Sequence, residues 1–377
     1  MARRVNPEAQ KLAMAGLIEA GISAIADEGI DQVSVQSISD AAKTSRPTFY
    51  SYFGDISGLL AEIWLAKADD WLDSLLEPTK VIGSLKGSEK KLNRAMTEIL
   101  AAAHRIPEVL ELTEPKIESW WDKHDYKTDI EQEIAIWLMA VRIGSTITDP
   151  VDSNVHGAAF IEPILNSIDI AKYKNLKLPK PSLPPVTDPT PKTETLDSRL
   201  LQAAIEVIAS AGVKSASMAR VARRAQVSTG ALYPRFAKVD ELIEGSFELA
   251  ISEIVQQNFG LLNATNFAAD EFGQFVMAGL MPARKTWRNF RIEIHLGART
   301  RPNLAKRMAK NLKATNALLA TKLRPYEKTG MTDGPIPYLV HCIGIGLAVL
   351  QNAGLEISNL DHRLVSRAMI EKALRLV

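Results

Sequence analysis

Two short stretches carry the side chains best suited to reading a nucleic acid. In "TSRPTFYSYF" (Thr44–Phe53), Arg46 can donate two hydrogen bonds to guanine. Thr48 offers a hydroxyl and a methyl, while Tyr50 and Tyr52 can reach phosphate oxygens. Gln36, upstream of this stretch, can bond adenine in the same groove, and Arg3 and Arg4 can add phosphate contacts from an N-terminal arm. "VSTGALYPRF" (Val227–Phe236) repeats the phrase: Ser, four residues, Tyr, two residues, Phe. Here Thr229, Gly230 and Ala231 take the variable places, followed by Tyr233 and Arg235.

No other constellation offers chemistry of comparable specificity. There is no glycine-rich phosphate loop, no nucleophile elbow and no paired acid and base. His341 and Cys342 adjoin on an apolar, glycine-rich segment with no second Cys or His at metal spacing, and His104, His124 and His156 are scattered. The expectation is a protein that is not an enzyme and needs no metal or cofactor.

The elements that must position the two phrases are helical. Displacing the chain by 183 positions aligns Ile18–Leu60 with Leu201–Ile243 without a gap, and Ala20, Ile22, Ile25, Ala26, Gly29, Ser34, Ala42, Ser45, Tyr50, Phe53 and Leu59 each meet an identical residue. The matched positions are mostly apolar or small and follow helical spacing, as a duplicated helical core requires. A first helix is expected from Pro7 to Asp27 with Gly29 as its stop. Ser34 and Ser217 are suited to cap short helices running to Ala42 and Ala225. A tight turn follows in each copy, and then a second short helix ending near Phe53 or Phe236. Phe49, Phe53, Leu232 and Phe236 are expected in the cores. Longer amphipathic helices, such as Ile130–Ile147 and Pro302–Leu323, fill the remainder, and no run alternates as a strand would. The fold class is all-α.

Between the copies lies "KLPKPSLPPVTDPTPKTET" (Lys177–Thr195), with six prolines. Proline removes backbone donors and fixes φ, so this stretch reads as an extended linker of about 3.1 Å per residue. The chain of 377 residues is 46% hydrophobic and 24% charged, enough for sizeable cores. Its net charge of +1 conceals local imbalance. Residues 1–60 hold five Lys/Arg against seven Asp/Glu, whereas residues 192–245 hold eight against six. A single cysteine, Cys342, excludes an intrachain disulfide and suits a reducing compartment. The first residues contain no uninterrupted apolar stretch, and the most membrane-like segment, Tyr338–Leu350, is too short for a span of about 20 residues. A cytoplasmic location without membrane contact is expected.

Two short helices joined by a tight turn and packed on a longer one form a helix-turn-helix, whose second helix can enter the major groove. Ser34–Leu60 and Ser217–Ile243 resemble the DNA-binding region of TetR-family transcriptional regulators. Each has the capped helix, the short turn, Ser, a variable triplet, an aromatic or Leu, Tyr, then Phe, as in "RPTFYSYF" and "TGALYPRF". The resemblance implies that Gln36, Arg46, Pro47 and Thr48 contact bases in copy 1, with Tyr50 and Tyr52 near the backbone and Ser34 and Ser45 also on the DNA-binding surface. In copy 2 it implies base contacts from Ala219, Thr229, Gly230 and Ala231, with Tyr233, Arg235 and Lys238 near phosphate and Ser217 and Ser228 also on the DNA-binding surface. Lys43 and Gln226 stand in the turn where many family members have glycine. Pro234 interrupts the second copy's recognition segment.

The implied architecture is two tandem TetR-like halves: DNA-binding domains at 1–60 and 196–245, helical regulatory domains at 61–176 and 246–377, and a linker at 177–195. The implied partners are a double-stranded DNA operator and an apolar or amphipathic small-molecule effector, the protein acting as a ligand-responsive repressor. Trp64, Trp120, Trp121 and Trp137, all in the first half, are candidates to line the effector pocket. Residues 108–133 hold nine Asp/Glu against three Lys/Arg, and residues 284–328 hold thirteen Lys/Arg against two acids, among them Arg299, Arg301 and Arg307. Such faces repel in a symmetric dimer and attract each other across unlike halves, so an intramolecular pseudo-dimer with unlike operator half-sites is expected. The rival reading is a ligand-binding or scaffolding protein that has kept the shape and lost DNA binding.

Overall fold

The structure is a computed structural model that describes residues 7–151, 155–180, 186–188, 195–263, 271–323 and 335–375. Arg3, Arg4 and much of the proline-rich linker lie outside the described residues. Among those described, regular structure is helical throughout.

The first half opens with α1 (Pro7–Glu28), α2 (Val35–Ala41), α3 (Arg46–Phe53) and α4 (Ile56–Leu76). It continues with α5 (Gly87–Ala102), α6 (Pro107–Trp121), α7 (Asp129–Thr148), α8 (Val155–Asn166) and the single turn α9 (Ile170–Tyr173). The second half runs α10 (Leu196–Ala211), α11 (Met218–Arg224), α12 (Val239–Asn263), α13 (Glu271–Leu280), α14 (Lys285–Ala298), α15 (Pro302–Leu323), α16 (Pro335–Asn352) and α17 (Arg363–Arg375).

Local chemistry sets the boundaries. Gly29 and Gly212 follow α1 and α10 at φ of +96° and +80°, a region that costs glycine little and other residues more. Ser34, Ser45, Asp55, Thr128, Thr195 and Ser217 each accept a backbone N–H at a helix start. In copy 1, Leu17, Ile25, Ile38, Phe49 and Leu59 are fully buried, so α1, α2 and α3 share one small core with α4. In copy 2, Leu200, Ile208, Val221, Leu232 and Leu242 do the same, with Phe236 half-buried beside them.

The halves meet along α7, which packs on α16 of the other half, with α8 against the same helix. Ile136, Ala140, Ile143, Ile343, Leu347 and Leu350 are buried in this shared core. Two glycines let the backbones touch. A Cβ on Gly144 would lie 2.0 Å from the Cys342 carbonyl oxygen, and one on Gly346 would lie 1.9 Å from that of Ala140. The two contacts are reciprocal, each glycine facing the residue four places before the other.

Candidate DNA-binding surface

Copy 1 builds its presenting helix from the cap inward. Ser34 and Ser37 form a capping box at the head of α2, and Lys43 turns the chain at φ +53°. Ser45 Oγ then accepts the Thr48 N–H at 3.3 Å and lies 2.8 Å from Thr48 Oγ1, which engages the Thr48 hydroxyl with the cap. Pro47, in the first turn of α3, occupies a place where no backbone donor is missed. Arg46 is exposed and makes no ion pair among the described residues. Tyr50 is exposed one turn further along, Tyr52 packs on Phe53, and Phe49 anchors the opposite face. Gln36 is exposed at the head of α2, and its amide nitrogen donates to Asp40 Oδ2 at 2.6 Å.

Copy 2 departs from expectation at its recognition segment. Ser217 caps α11 through the Arg220 N–H at 3.2 Å, and Gln226 takes the left-handed turn at φ +57°, matching Lys43. Beyond it, however, only a 3₁₀ turn forms at Thr229–Ala231, followed by irregular turns through Arg235. The helix expected to reach Phe236 is absent. Pro234 has no N–H to give an i→i−4 bond, and Gly230 is a poor helix former. Leu232, fully buried, still holds the segment in place. Ser228 makes no side-chain cap bond. Thr229, Gly230, Tyr233 and Lys238 are exposed, Ala231 is half-buried, and Ala219 is exposed on the first turn of α11. Arg235 is already engaged by Asp197 and the Ala231 carbonyl.

Each DNA-facing domain is also tied to the opposite half. In copy 1 the last carbonyls of α1, Ile25 and Ala26, accept from Arg299 of the second half at 3.0 and 2.6 Å. Arg299 also pairs with Glu98, which accepts the Ile30 N–H at 2.9 Å. In copy 2 the carbonyl of Ala209, equivalent to Ala26, lies 3.2 Å from His104 Nε2 of the first half. Beside it, Arg105 pairs with Glu293 at 2.6 Å and with Asp31 at 2.8 Å. Burial holds His104 neutral, down at about 4, and pushes the Glu98 carboxyl upward against the pull of Arg299. Helix C-termini favour cations and donors, so these contacts fix both first helices by their ends.

Sequence reasoning missed these cross-half pairs, because no local pattern links residues 105 to 274 positions apart. The acidic stretch expected to face the basic one does not pair with it among the described residues. Arg301 and Arg307 instead bind Asp240, Glu244 and Glu248 within their own half. The four tryptophans expected near an effector lie inside the first half. Trp64 and Trp137 are fully buried and Trp120 and Trp121 nearly so. Trp137 donates to His362 Nδ1, and Trp120 donates to Asp73. They fill the interior of the first half as packing, and none lines the apolar cavity found in the second half.

The sequence model of the bacterial regulatory proteins of the tetR family matches residues 17–63 and, separately, residues 200–245. The first match runs from within α1 into α4, and the second from within α10 into α12. Both segments match the family's DNA-binding domain, the second without its second short helix. The all-α chain thus carries two tandem segments of the TetR DNA-binding type. No curated protein matches the chain. Among the described residues, no helix is long and apolar enough to cross a membrane, and no group of three or more His, Cys, Asp or Glu side chains is placed to hold a metal ion.

Proposed function

We propose that one chain does the work of a regulator dimer: a ligand-responsive repressor whose two halves read one operator with unlike half-sites. The reciprocal α7–α16 contact carries this reading, because it gives the unlike halves a shared dry core and relates them as subunits of a two-fold dimer are related. Copy 1 is the base reader, through Gln36, Arg46, Pro47 and Thr48, with Tyr50 and Tyr52 on the backbone. Copy 2 grips chiefly phosphate, through Tyr233 and Lys238 with Arg220 and Arg223 exposed on α11 beside it. Its base contacts from Ala219, Thr229, Gly230 and Ala231 are correspondingly weaker. Ligand binding in one half shifts the contacts that fix the ends of α1 and α10, changes the spacing of the two reading elements and releases DNA.

Selection of bound fragments from random duplex tests the reading. The expected product has two unlike half-sites with guanine favoured in one. Arg46→Ala should weaken binding by about 1–3 kcal/mol and relax only that half-site. A strict palindrome, or a stable species of twice the chain mass bound to DNA with each copy 1 on a half-site, would overturn it. The second reading, a helical protein that has lost DNA binding, is favoured by the missing recognition helix in copy 2. It requires that binding to random duplex be absent even at low salt.

A further inference from the structure

The cavity of the second half lies between α12, α13, α14, α15 and α16. About 160 Å³ of it admits the centre of a water-sized sphere, and most of its wall is apolar, including Phe247, Ile251, Phe272, Phe275, Leu312 and Leu347. Three arginines break that pattern. Arg284, Arg288 and Arg291 stand at i, i+4 and i+7, entering the cavity along one face of α14 and the turn before it. Arg284 and Arg288 are almost wholly buried.

None of the three has a carboxylate within ion-pair reach among the described residues. Arg284 donates to Asn258 Oδ1 at 2.8 Å and to Gln257 Oε1 at 3.4 Å. Arg288 donates to the carbonyls of Gly279 and Met281 at 3.0 and 2.7 Å. Arg291 donates to His341 Nδ1 and to its carbonyl, both at 2.8 Å. The Nε–H groups of Arg284 and Arg288 are buried without an acceptor. Gly344 leaves room for the Arg291 guanidinium, since a Cβ there would come within 2.8 Å of Nη1. The nearby histidines supply no counter-charge. His295 Nε2 and His341 Nε2 are 3.1 Å apart, and His295 Nδ1 lies 2.7 Å from the Arg291 carbonyl. That chain of bonds uses neutral rings, and burial beside Arg291 holds both well below the usual imidazole range. The acid whose charge acts on Arg284 is the exposed Asp188 of the linker.

Burying a cation without a counter-ion costs several kcal/mol. Desolvation accordingly presses all three guanidinium groups down to about 10. Arg288 has a structural use, engaging the carbonyls of Gly279 and Met281 at the end of α13. Packing alone gives no reason for three cations in one apolar chamber. We infer that the cavity is a binding site for an anionic amphipath, with its apolar tail among the phenylalanine and leucine side chains and a carboxylate or phosphate head at Arg284, Arg288 and Arg291. An oxyanion would accept from the idle donors in the geometry arginine favours, and it would supply the missing charge. The cavity of the first half, between α4, α5 and α7, differs: its wall carries Asp70, Glu89 and Asn93, and its one arginine, Arg142, is paired with Glu162. That this ligand is the effector rests on the ligand-responsive reading above; that the cavity binds it does not.

Trp287 lines the cavity and is the one tryptophan of the second half. The full chain, without DNA, is titrated below micelle-forming concentration with dodecanoate, dodecyl phosphate, dodecanol and dodecyltrimethylammonium. Emission is read against the Trp287→Phe variant, and calorimetry runs in parallel. Both anions should bind about tenfold or more tighter than the alcohol, with the cation weakest. The tighter anion identifies the head group as carboxylate or phosphate. Arg291→Gln and Arg288→Gln, each checked for native helicity and melting, should remove the preference for anions while leaving dodecanol binding unchanged. Equal affinity for alcohol and anions, or no binding of any probe by the folded native chain, would overturn the inference. Anion binding that leaves duplex affinity unaltered would support the site and refute its role as the effector site.

Discussion

Replacing Gly346 by alanine adds one methyl group at the tightest point between the halves. Its Cβ would sit 1.9 Å from the Ala140 carbonyl oxygen, where real Cβ contacts essentially never fall below 3.0 Å. The obstruction is backbone on both sides, so no side chain can rotate away. The helices must part by about 1 Å at the crossing, loosening the contacts of Ile343, Leu347 and Leu350 with Ile136 and Ile143. Overpacking of this kind costs about 1–3 kcal/mol, a fall in melting midpoint on the order of 5 °C. Gly144→Ala meets Cys342 in the same way, at 2.0 Å. Once one alanine has forced the helices apart, the second finds the gap already open, so the double variant should lose less than the sum of the single losses. Denaturant unfolding of the two single variants and the double measures this directly. Duplex binding should weaken in parallel if the interface sets the spacing of the reading elements. A Gly346→Ala chain with a native midpoint, or strict additivity in the double variant, would refute the reciprocal contact as described.

The cross-half pair is equally open to test. Arg299→Met leaves Glu98 buried without its partner and the end of α1 without donors, a loss of about 3–5 kcal/mol, most of which Glu98→Gln should restore; equilibrium unfolding of the pair reads both. Burial pushes Glu133 up to about 8, while the Val365 N–H at 3.1 Å opposes the shift. The folded state therefore holds a proton that the unfolded state releases above its usual value of 4.5. Stability should fall as pH rises from 4.5 to 8, by at most about 1.4 kcal/mol per unit from this group. Glu293 is likewise pushed up to about 8 by burial and acts in the same sense, so Glu133→Gln should flatten only part of the slope in a pH series of melts. Pro234→Ala returns a backbone donor to the recognition segment of copy 2. It should increase helicity by circular dichroism and tighten binding to duplex DNA; no change in either would point to Gly230 as the residue that keeps the segment irregular.

Much of the molecule was legible in its residues alone, wherever neighbours in sequence are neighbours in space. The 183-residue repeat, the serine caps at Ser34 and Ser217, the glycine stops at Gly29 and Gly212, and the apolar spacing of α7 and α15 are local signals, and the helices follow them. Arg46 on the first turn of a capped helix was readable for the same reason. The loss of the second recognition helix had a visible cause in Pro234, but the preserved phrase around it argued the other way. Three features needed the tertiary structure. Whether a tryptophan fills a core or walls a cavity depends on what the opposing helices bring, and only packing placed Trp64, Trp120, Trp121 and Trp137 in the interior. Arg284, Arg288 and Arg291 read only as part of a basic stretch until the fold brought them into one cavity. The ties from Arg299 to Ala26 and from His104 to Ala209 join residues that no periodicity relates. Local free energies choose helices residue by residue, whereas partners across the halves are chosen only when the whole chain has closed.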